Sequence, residues 1–363
     1  MKHPDGYPAG NSVIPGSMPT WGDASRPVEP LHALVEPGQT TPPGERPPAS
    51  PVAAAEPAKV PASRSGFDDS TPLARELAEI NRRRRALAAQ QLPLPPATRV
   101  FTVANQKGGV GKTTTTVNLA AALARGGARV LVIDLDPQGN TSTALNIPHS
   151  EGTPGVYEAI VEGTDLDELV KPCPDIPGLT VLPATIDLAG AEIELVSLVA
   201  RESRLDRALQ TYLRGRAAAG DRIDYVLIDC PPSLGLLTVN AMVAGREVLI
   251  PIQCEYYALE GLGQLVRNID LIRAHLNPKL EITTVLLTMF DGRTRLSAGV
   301  AEEVRSYFTE KVITTPIPRS VRISEAPSYH QSVITYDPTS SGALSYLEAA
   351  REISVAGTKG ATR

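Results

Sequence analysis

Aromatic residues and cysteine are scarce in this sequence. Phe, Tyr and Trp make up 4% of the 363 residues against 42% hydrophobic residues overall, so the core must be aliphatic, filled by Ala, Val, Leu and Ile. The three cysteines, Cys173, Cys230 and Cys254, are odd in number and share no Cys-x-x-Cys or other metal-ligand spacing. Cys230 and Cys254 end apolar runs, the setting of small buried thiols, and the pattern fits a reduced, cytoplasmic chain. No apolar run reaches the roughly 18 residues that a membrane span needs, and no N-terminal apolar leader is visible. Positive charge is not in excess: 35 Lys and Arg against 40 Asp and Glu give a net charge of −5. That balance excludes wholesale coating of nucleic acid but leaves room for a local basic patch.

What the second half lacks in proline, the beginning has in abundance: 18 of the 33 prolines precede residue 97. Residues 1–67 are Pro, Gly, Ser, Ala and scattered charge without an apolar period. Such a segment cannot bury enough surface to offset its ordering entropy and is expected to be disordered. A short basic helix and linker are expected over 68–97. Asp69, Ser70 and Thr71 offer caps, Pro72 suits a first helical position, and Leu73, Leu77 and Ile80 recur at helical spacing. The helix ends in Arg82-Arg-Arg-Arg85, which either touches phosphates or a membrane surface, or is a solvated helix end favoured by the macrodipole. The prolines after Leu92 stop it.

From residue 98 to 357 short β-branched runs alternate with helical stretches. The runs are Val100–Ala104, Arg129–Ile133, Leu179–Leu182, Tyr225–Ile228, Val248–Ile252 and Ile282–Leu287. Thr113–Arg125 reads as an Ala/Leu-rich helix. Leu259, Leu262, Leu265, Val266, Ile269, Ile272 and Leu276 keep to one helical stripe. Strands that are apolar throughout and joined by crossover helices predict an α/β fold: one doubly wound, mostly parallel sheet with helices on both faces. Residues 358–363 are expected to be a flexible tail.

The strongest chemical signal is Asn105-Gln-Lys-Gly-Gly-Val-Gly-Lys-Thr-Thr114, after a predicted strand and before a predicted helix, the context of a phosphate loop. Gly108, Gly109 and Gly111 allow a tight turn whose amides, with those of Val110 and Thr114, face an anion. The helix N-terminus adds partial positive charge. Lys112 is expected to reach the β and γ phosphates of ATP and the Thr113 hydroxyl to ligate Mg2+. Two acidic sites accompany the loop. Asp134 and Asp136 close the second strand run, where ligands of a parallel sheet bind. One of the pair is expected to act as a structural cap; Asp134 is assigned to support on the metal side and Asp136 to orienting the attacking water. Asp229 ends an apolar strand before Cys230-Pro-Pro-Ser233, the Walker B form, and is expected to hold Mg2+ through water.

Lys107-Gly-Gly-Val-Gly-Lys-Thr113 departs from the common phosphate loop, with Gln106 where a glycine is usual and a lysine after it. In this it resembles the deviant Walker A loop of the ParA/MinD class of ATPases. Asp134-Leu-Asp-Pro-Gln-Gly-Asn140, Asp229-Cys-Pro-Pro-Ser233, Glu255-Tyr-Tyr-Ala-Leu-Glu-Gly261 and Ile317-Pro-Arg-Ser-Val-Arg-Ile-Ser-Glu-Ala-Pro327 extend the resemblance to chromosomal, Soj-like ParA partition ATPases over residues 98–357. The resemblance implies a cycle. ATP closes a homodimeric sandwich in which Lys107 of each subunit reaches the phosphates held by the other. The dimer binds DNA without sequence preference on the nucleoid, and a ParB-type partner stimulates weak hydrolysis. It also implies that Asp136 is the hydrolysis residue, that Arg293 and Arg322, with Arg319 near them, contact DNA, and that adenine is recognised near Pro316–Arg319, including Pro318.

Three other readings remain in view, one of them a generic metabolic ATP-dependent ligase, for which no substrate-specific constellation is visible. A MinD-like membrane-positioning ATPase needs a basic amphipathic C-terminal helix; the mixed-charge end from Leu344 fits a core-docking helix better. An iron–sulfur relative needs cysteines at a dimer axis, and Cys230 beside the Walker B strand is poorly placed for that.

Overall fold

In the computed structural model of the chain, the described residues are 71–88, 91–256 and 261–359. The expected disordered extension over 1–67, the last residues of the tail and Leu259 of the helical stripe lie outside them. Seven strands form one sheet: β1 (Arg99–Val103), β2 (Val130–Asp134), β3 (Lys171–Pro172), β4 (Leu179–Leu182), β5 (Tyr225–Asp229), β6 (Glu247–Gln253) and β7 (Glu281–Thr288). Their order is β3-β4-β2-β5-β1-β6-β7, parallel throughout except for β3, a two-residue antiparallel edge that no run of the sequence announced.

Along each strand successive side chains alternate between two cores. Val130 and Val132 enter one with Phe101, Val103, Tyr225 and Leu227, while Leu131 and Ile133 enter the other with Val100, Val226 and Ile228. Both faces are therefore covered, which is why these strands read as continuous apolar runs rather than as alternating ones. The helices in chain order are α1 (Pro72–Ala88), α2 (Lys112–Arg125), α3 (Asn140–Ala144), α4 (Leu166–Leu169), α5 (Leu188–Leu195) and α6 (Arg204–Ala218). They continue with α7 (Leu236–Ala244), α8 (Leu262–His275), α9 (Arg295–Phe308), α10 (Val321–Glu325), α11 (Val333–Tyr336) and α12 (Ser341–Lys359). Helices α4 to α9 fill one face; α2, α11 and α12 fill the other.

Helix α2 is buried at every position from Thr115 to Ala124. Its run of alanines lets the backbone approach the sheet on one side and Ala343, Ala349 and Ala350 of α12 on the other. The C-terminal helix is thus a core element, with Leu344, Tyr346, Ile353 and Ser354 also buried. Helix α1 lies against α12. Thr71 caps it by accepting the Ala74 amide (3.2 Å). Of the expected apolar stripe, Leu77 is 44% exposed and Ile80 half-buried. Polar contacts tie the helix to α12: Arg83 grips Glu348 with two hydrogen bonds (2.8 and 2.6 Å) and donates to the Ser345 hydroxyl (3.0 Å). After the helix, Arg222 donates to the carbonyls of Pro95 and Pro96 (2.7 and 2.6 Å), holding the linker down.

Arg99 ties the start of the sheet together. Its guanidinium forms a two-point pair with Glu247 of β6 (2.7 and 2.5 Å) and donates to the Ile353 carbonyl of α12 (2.6 Å). Both side chains are largely buried, at 14% and 16% exposure, so removing one partner strands the other charge. Arg99→Met is expected to lower unfolding free energy by about 3 kcal/mol, read as a lower urea midpoint at an unchanged denaturant slope; a change within about 0.5 kcal/mol would mean that the pair is solvated.

Candidate nucleotide site

The loop between β1 and α2 is built on backbone contacts with β6 and β7. The Ala104 backbone amide donates to the Leu249 carbonyl (3.1 Å) and the Asn105 side-chain Nδ2 to that of Pro251 (2.8 Å). Asn105 Oδ1 then accepts the Lys107 amide (3.0 Å), an Asx turn that begins the tight loop. Gly109 and Gly111 adopt φ of +74° and +90°, where any side chain would be strained. Gly111 launches α2 directly from this left-handed conformation. From below, the Thr288 hydroxyl at the end of β7 donates to the Val110 carbonyl (2.8 Å).

Lys112 is 7% exposed and folds back over the loop, its Nζ 3.5 Å from the Lys107 carbonyl. Burial lowers its pKa, while the negative charges of Asp229 and Asp136 pull it back up. A cation held this way by geometry, with little water around it, is ready for an anion.

Asp229 is fully buried at the end of β5 and collects hydroxyls: Thr113 (2.7 Å) and Thr141 (2.8 Å) donate to one oxygen, Thr116 (3.3 Å) to the other. Burial pushes its pKa up to about 6; the Thr113 and Thr141 bonds and the Lys112 charge oppose the rise, and Asp136 adds to it. Asp136 is half-buried and close enough for its charge to reach both Lys112 and Asp229. Its carboxylate accepts the Gln138 amide (3.1 Å), which fixes the turn after β2.

Asp134, expected on the metal side, takes the structural role of the pair instead. It is fully buried; one oxygen accepts the Ser142 amide (3.0 Å) and hydroxyl (2.8 Å), the other the Asp136 amide (3.2 Å). These contacts hold the β2–α3 turn. Burial, and then the charge of Asp229 beside it in the sheet register, push its pKa up to about 8.

The phosphate-loop residues, Asp136 and Asp229 therefore meet at the carboxyl ends of the adjacent strands β1, β2 and β5. The other named residues lie farther along the same rim. Residues 312–318 run parallel to β7 through bridges at Val285–Val312 and Phe290–Pro318. Arg319 pairs with Glu255 (3.0 Å). Arg293, 90% exposed, folds onto Asp291 with two bonds (2.9 and 3.0 Å), and its guanidinium holds that carboxyl down at about 2. Arg322 pairs with Glu325 (3.1 Å) and Asp337 (3.5 Å). Sequence reasoning did not assign Thr116, Thr141, Asn105 or Thr288. The run Thr113–Thr116 carried a signal, because positions i and i+3 of a helix share a face and both hydroxyls reach Asp229. All three cysteines are buried and free, and burial raises the thiol pKa of each.

A glycine-rich loop feeding a helix N-terminus, a buried lysine over it and a Walker B carboxylate beneath it define a P-loop nucleotide hydrolase. The AAA domain family matches residues 98–282. The sporulation initiation inhibitor protein Soj of Bacillus subtilis is 52% identical over 259 residues, 71% of this chain and 99% of that protein. The chromosome partitioning protein ParA of Myxococcus xanthus is 50% identical over 255 residues, 70% of this chain and 87% of its own. Among solved structures, a Mycobacterium smegmatis protein described as cobyrinic acid a,c-diamide synthase with bound ADP and magnesium is 40% identical, with a TM-score of 0.56, covering 66% of this chain and 91% of its own. The septum site-determining protein MinD of Pyrococcus horikoshii, solved with Mg-ADP, shares the fold at 24% identity and a TM-score of 0.57, covering 70% of this chain and 96% of its own. The chain belongs to the Soj/ParA family of chromosome-partitioning ATPases within the deviant Walker A class.

The raised pKa of Asp134 has a consequence for stability. A carboxyl that binds its proton more tightly when folded stabilises the protein fully below its unfolded pKa, and that contribution is lost as pH rises to the folded value. The nucleotide-free protein is expected to lose unfolding free energy steadily between about pH 4 and about pH 8, and Asp134→Asn to flatten that slope. Parallel wild-type and variant curves in urea titrations across this range would show Asp134 to be ionised throughout.

Proposed function

We propose that the chain is an ATP-driven partition switch: ATP and Mg2+ close two copies into a sandwich, the dimer holds DNA without sequence preference, and a ParB-type partner triggers hydrolysis and release. The reading places it in the cytoplasm, on the nucleoid. The observation that carries it is Lys107. It sits half-buried at the mouth of the loop with its amide and carbonyl engaged, and among the described residues no carboxylate pairs with its ammonium. Its own pocket already has Lys112, so a second lysine at the rim suits the phosphates of another copy, where it would act as an arginine finger does elsewhere.

The donor set fits Mg2+. The Thr113 hydroxyl and Asp229 carboxylate lie 2.7 Å apart and are hard oxygen ligands, and Mg2+ completes its shell with water and phosphate oxygens. When bound, the ion neutralises charge on the transferring phosphoryl group. Thr113 would ligate it directly and Asp229 through water. The loop amides and Lys112 hold the β and γ phosphates, and Asp136 orients the attacking water. Pro318 and its neighbours border the place for adenine. The membrane-positioning alternative is disfavoured by α12, whose apolar side faces α2; among the described residues no helix is long and apolar enough to cross a membrane.

Lys112→Ala is expected to weaken ATP binding by about ten- to a hundredfold, the worth of one or two charge-assisted hydrogen bonds. Calorimetric titration giving wild-type affinity would remove the lysine from the site. The cycle itself is tested with Asp136→Ala, which should bind ATP, dimerise by light scattering and remain on DNA. Arg322→Glu in the same background should dimerise yet lose DNA. A protein that stays monomeric with ATP, with or without DNA, would end the sandwich reading and leave the pocket intact.

A further inference from the structure

The run Arg82-Arg83-Arg84-Arg85 takes no part in that cycle, and the structure divides its labour. Arg82 pairs with Glu79 one turn back, and Arg83 is spent on Glu348. Arg84 instead converges with Arg125 of α2 and Arg351 of α12 on a cavity of about 380 Å3 between the three helices. Its remaining lining includes a floor of Leu87, Leu92, Leu344 and Leu347, with the Gln91 amide at the edge. The size is within the range of small-molecule pockets.

Among the described residues no acid lines this cavity. The nearby acids are committed elsewhere: Glu348 to Arg83, Asp337 to Arg322, and Glu352 to the Thr314 and Thr315 amides (2.8 and 3.0 Å). Among the described residues neither Arg84 nor Arg351 has a hydrogen-bond or ion-pair partner, and Arg125 spends one nitrogen on the Ile334 carbonyl (3.0 Å). The C-terminal ends of α1 and α2 both point here and contribute roughly half a negative charge each. Against three guanidiniums that leaves about two positive charges uncompensated above an apolar floor. Duplex DNA is too broad to enter. A small phosphate ester fits both halves: guanidinium forks match phosphate oxygens, and the leucines take an apolar or flat body.

We propose that this cavity is a second anion site, which binds a small phosphate ester with an apolar body at the far end of α2, about 20 Å along that helix from the phosphate loop. A nucleotide and an acyl or alkyl phosphate share this chemistry. Calorimetry on Lys112→Ala protein without Mg2+, which weakens the hold of the loop on nucleotide, should detect saturable binding of ADP, of dodecyl phosphate below its micelle concentration, or of both. The double variant Arg84→Ser/Arg351→Ser in that background should weaken it at least about tenfold with an unchanged melting temperature. ADP binding alone assigns a nucleotide, and dodecyl phosphate alone an acyl-type phosphate. Saturable binding of neither, undiminished binding in the double variant, or equal binding of inorganic phosphate would overturn the proposal.

Discussion

A buried carboxylate holds this site together. Asp229 sits at the end of a central strand with no solvent exposure, and an isolated charge there would be costly. Hydroxyls of Thr113, Thr116 and Thr141 and the ammonium of Lys112 offset that cost. These groups come from α2 and α3, which follow β1 and β2. One side chain on β5 therefore fixes the start of α2 and the turn after β2 at once. The loop glycines supply backbone freedom, but the position of the loop relative to the acidic strands is set by this cluster. The compensation is incomplete: burial still holds its pKa up at about 6 against these contacts. A cation placed beside this acid would favour its ionised form.

The pairing of Asp134 with Asp229 sharpens the same constraint. They are register partners on adjacent strands, both buried, and ionising both would set two negative charges side by side in a low-dielectric interior, where they repel strongly. The fold separates their tasks by giving Asp134 three donors from its own turn and leaving Asp229 facing the loop. The acid that looks from its spacing like a ligand is thereby consumed in shaping the turn that presents Asp136. A carboxylate two residues away, half exposed and committed only to one local amide, is the one with freedom to meet water.

Much of this is legible in the sequence. The apolar runs fell on β1, β2, β4, β5, β6 and β7 to within about a residue at each end, because strands buried on both faces leave an unbroken signature. The phosphate loop was legible because glycine is demanded wherever φ is positive and the backbone must approach an anion. What could not be read depends on partners distant in sequence. The contact of Arg83 with Glu348 spans 265 positions, and no local pattern distinguishes that arginine from its three neighbours. The two-residue strand β3 is too short to carry periodicity. The roles of Asp134 and Asp136 depend on which way a turn folds, and that is decided by Ser142.

The rim arginines pose a question of charge. Arg293 and Arg322 are exposed, as contact residues must be, yet each is already paired with an acid of its own segment. Pairs in water are weak, since solvent and salt screen them, so exchanging such a carboxylate for a DNA phosphate would cost little. Each local acid nonetheless offsets the charge of its arginine, and the whole chain carries a net charge of −5. Under the proposed cycle, one copy would then have few phosphate contacts and little electrostatic steering. Two copies closed around ATP would present twice the contacts in fixed geometry, and because affinity for DNA grows with the number of phosphates neutralised together, retention would become a property of the dimer. In the proposed cycle, weak monomer pairs are what make nucleotide state, rather than the arginines themselves, decide whether the protein stays on DNA.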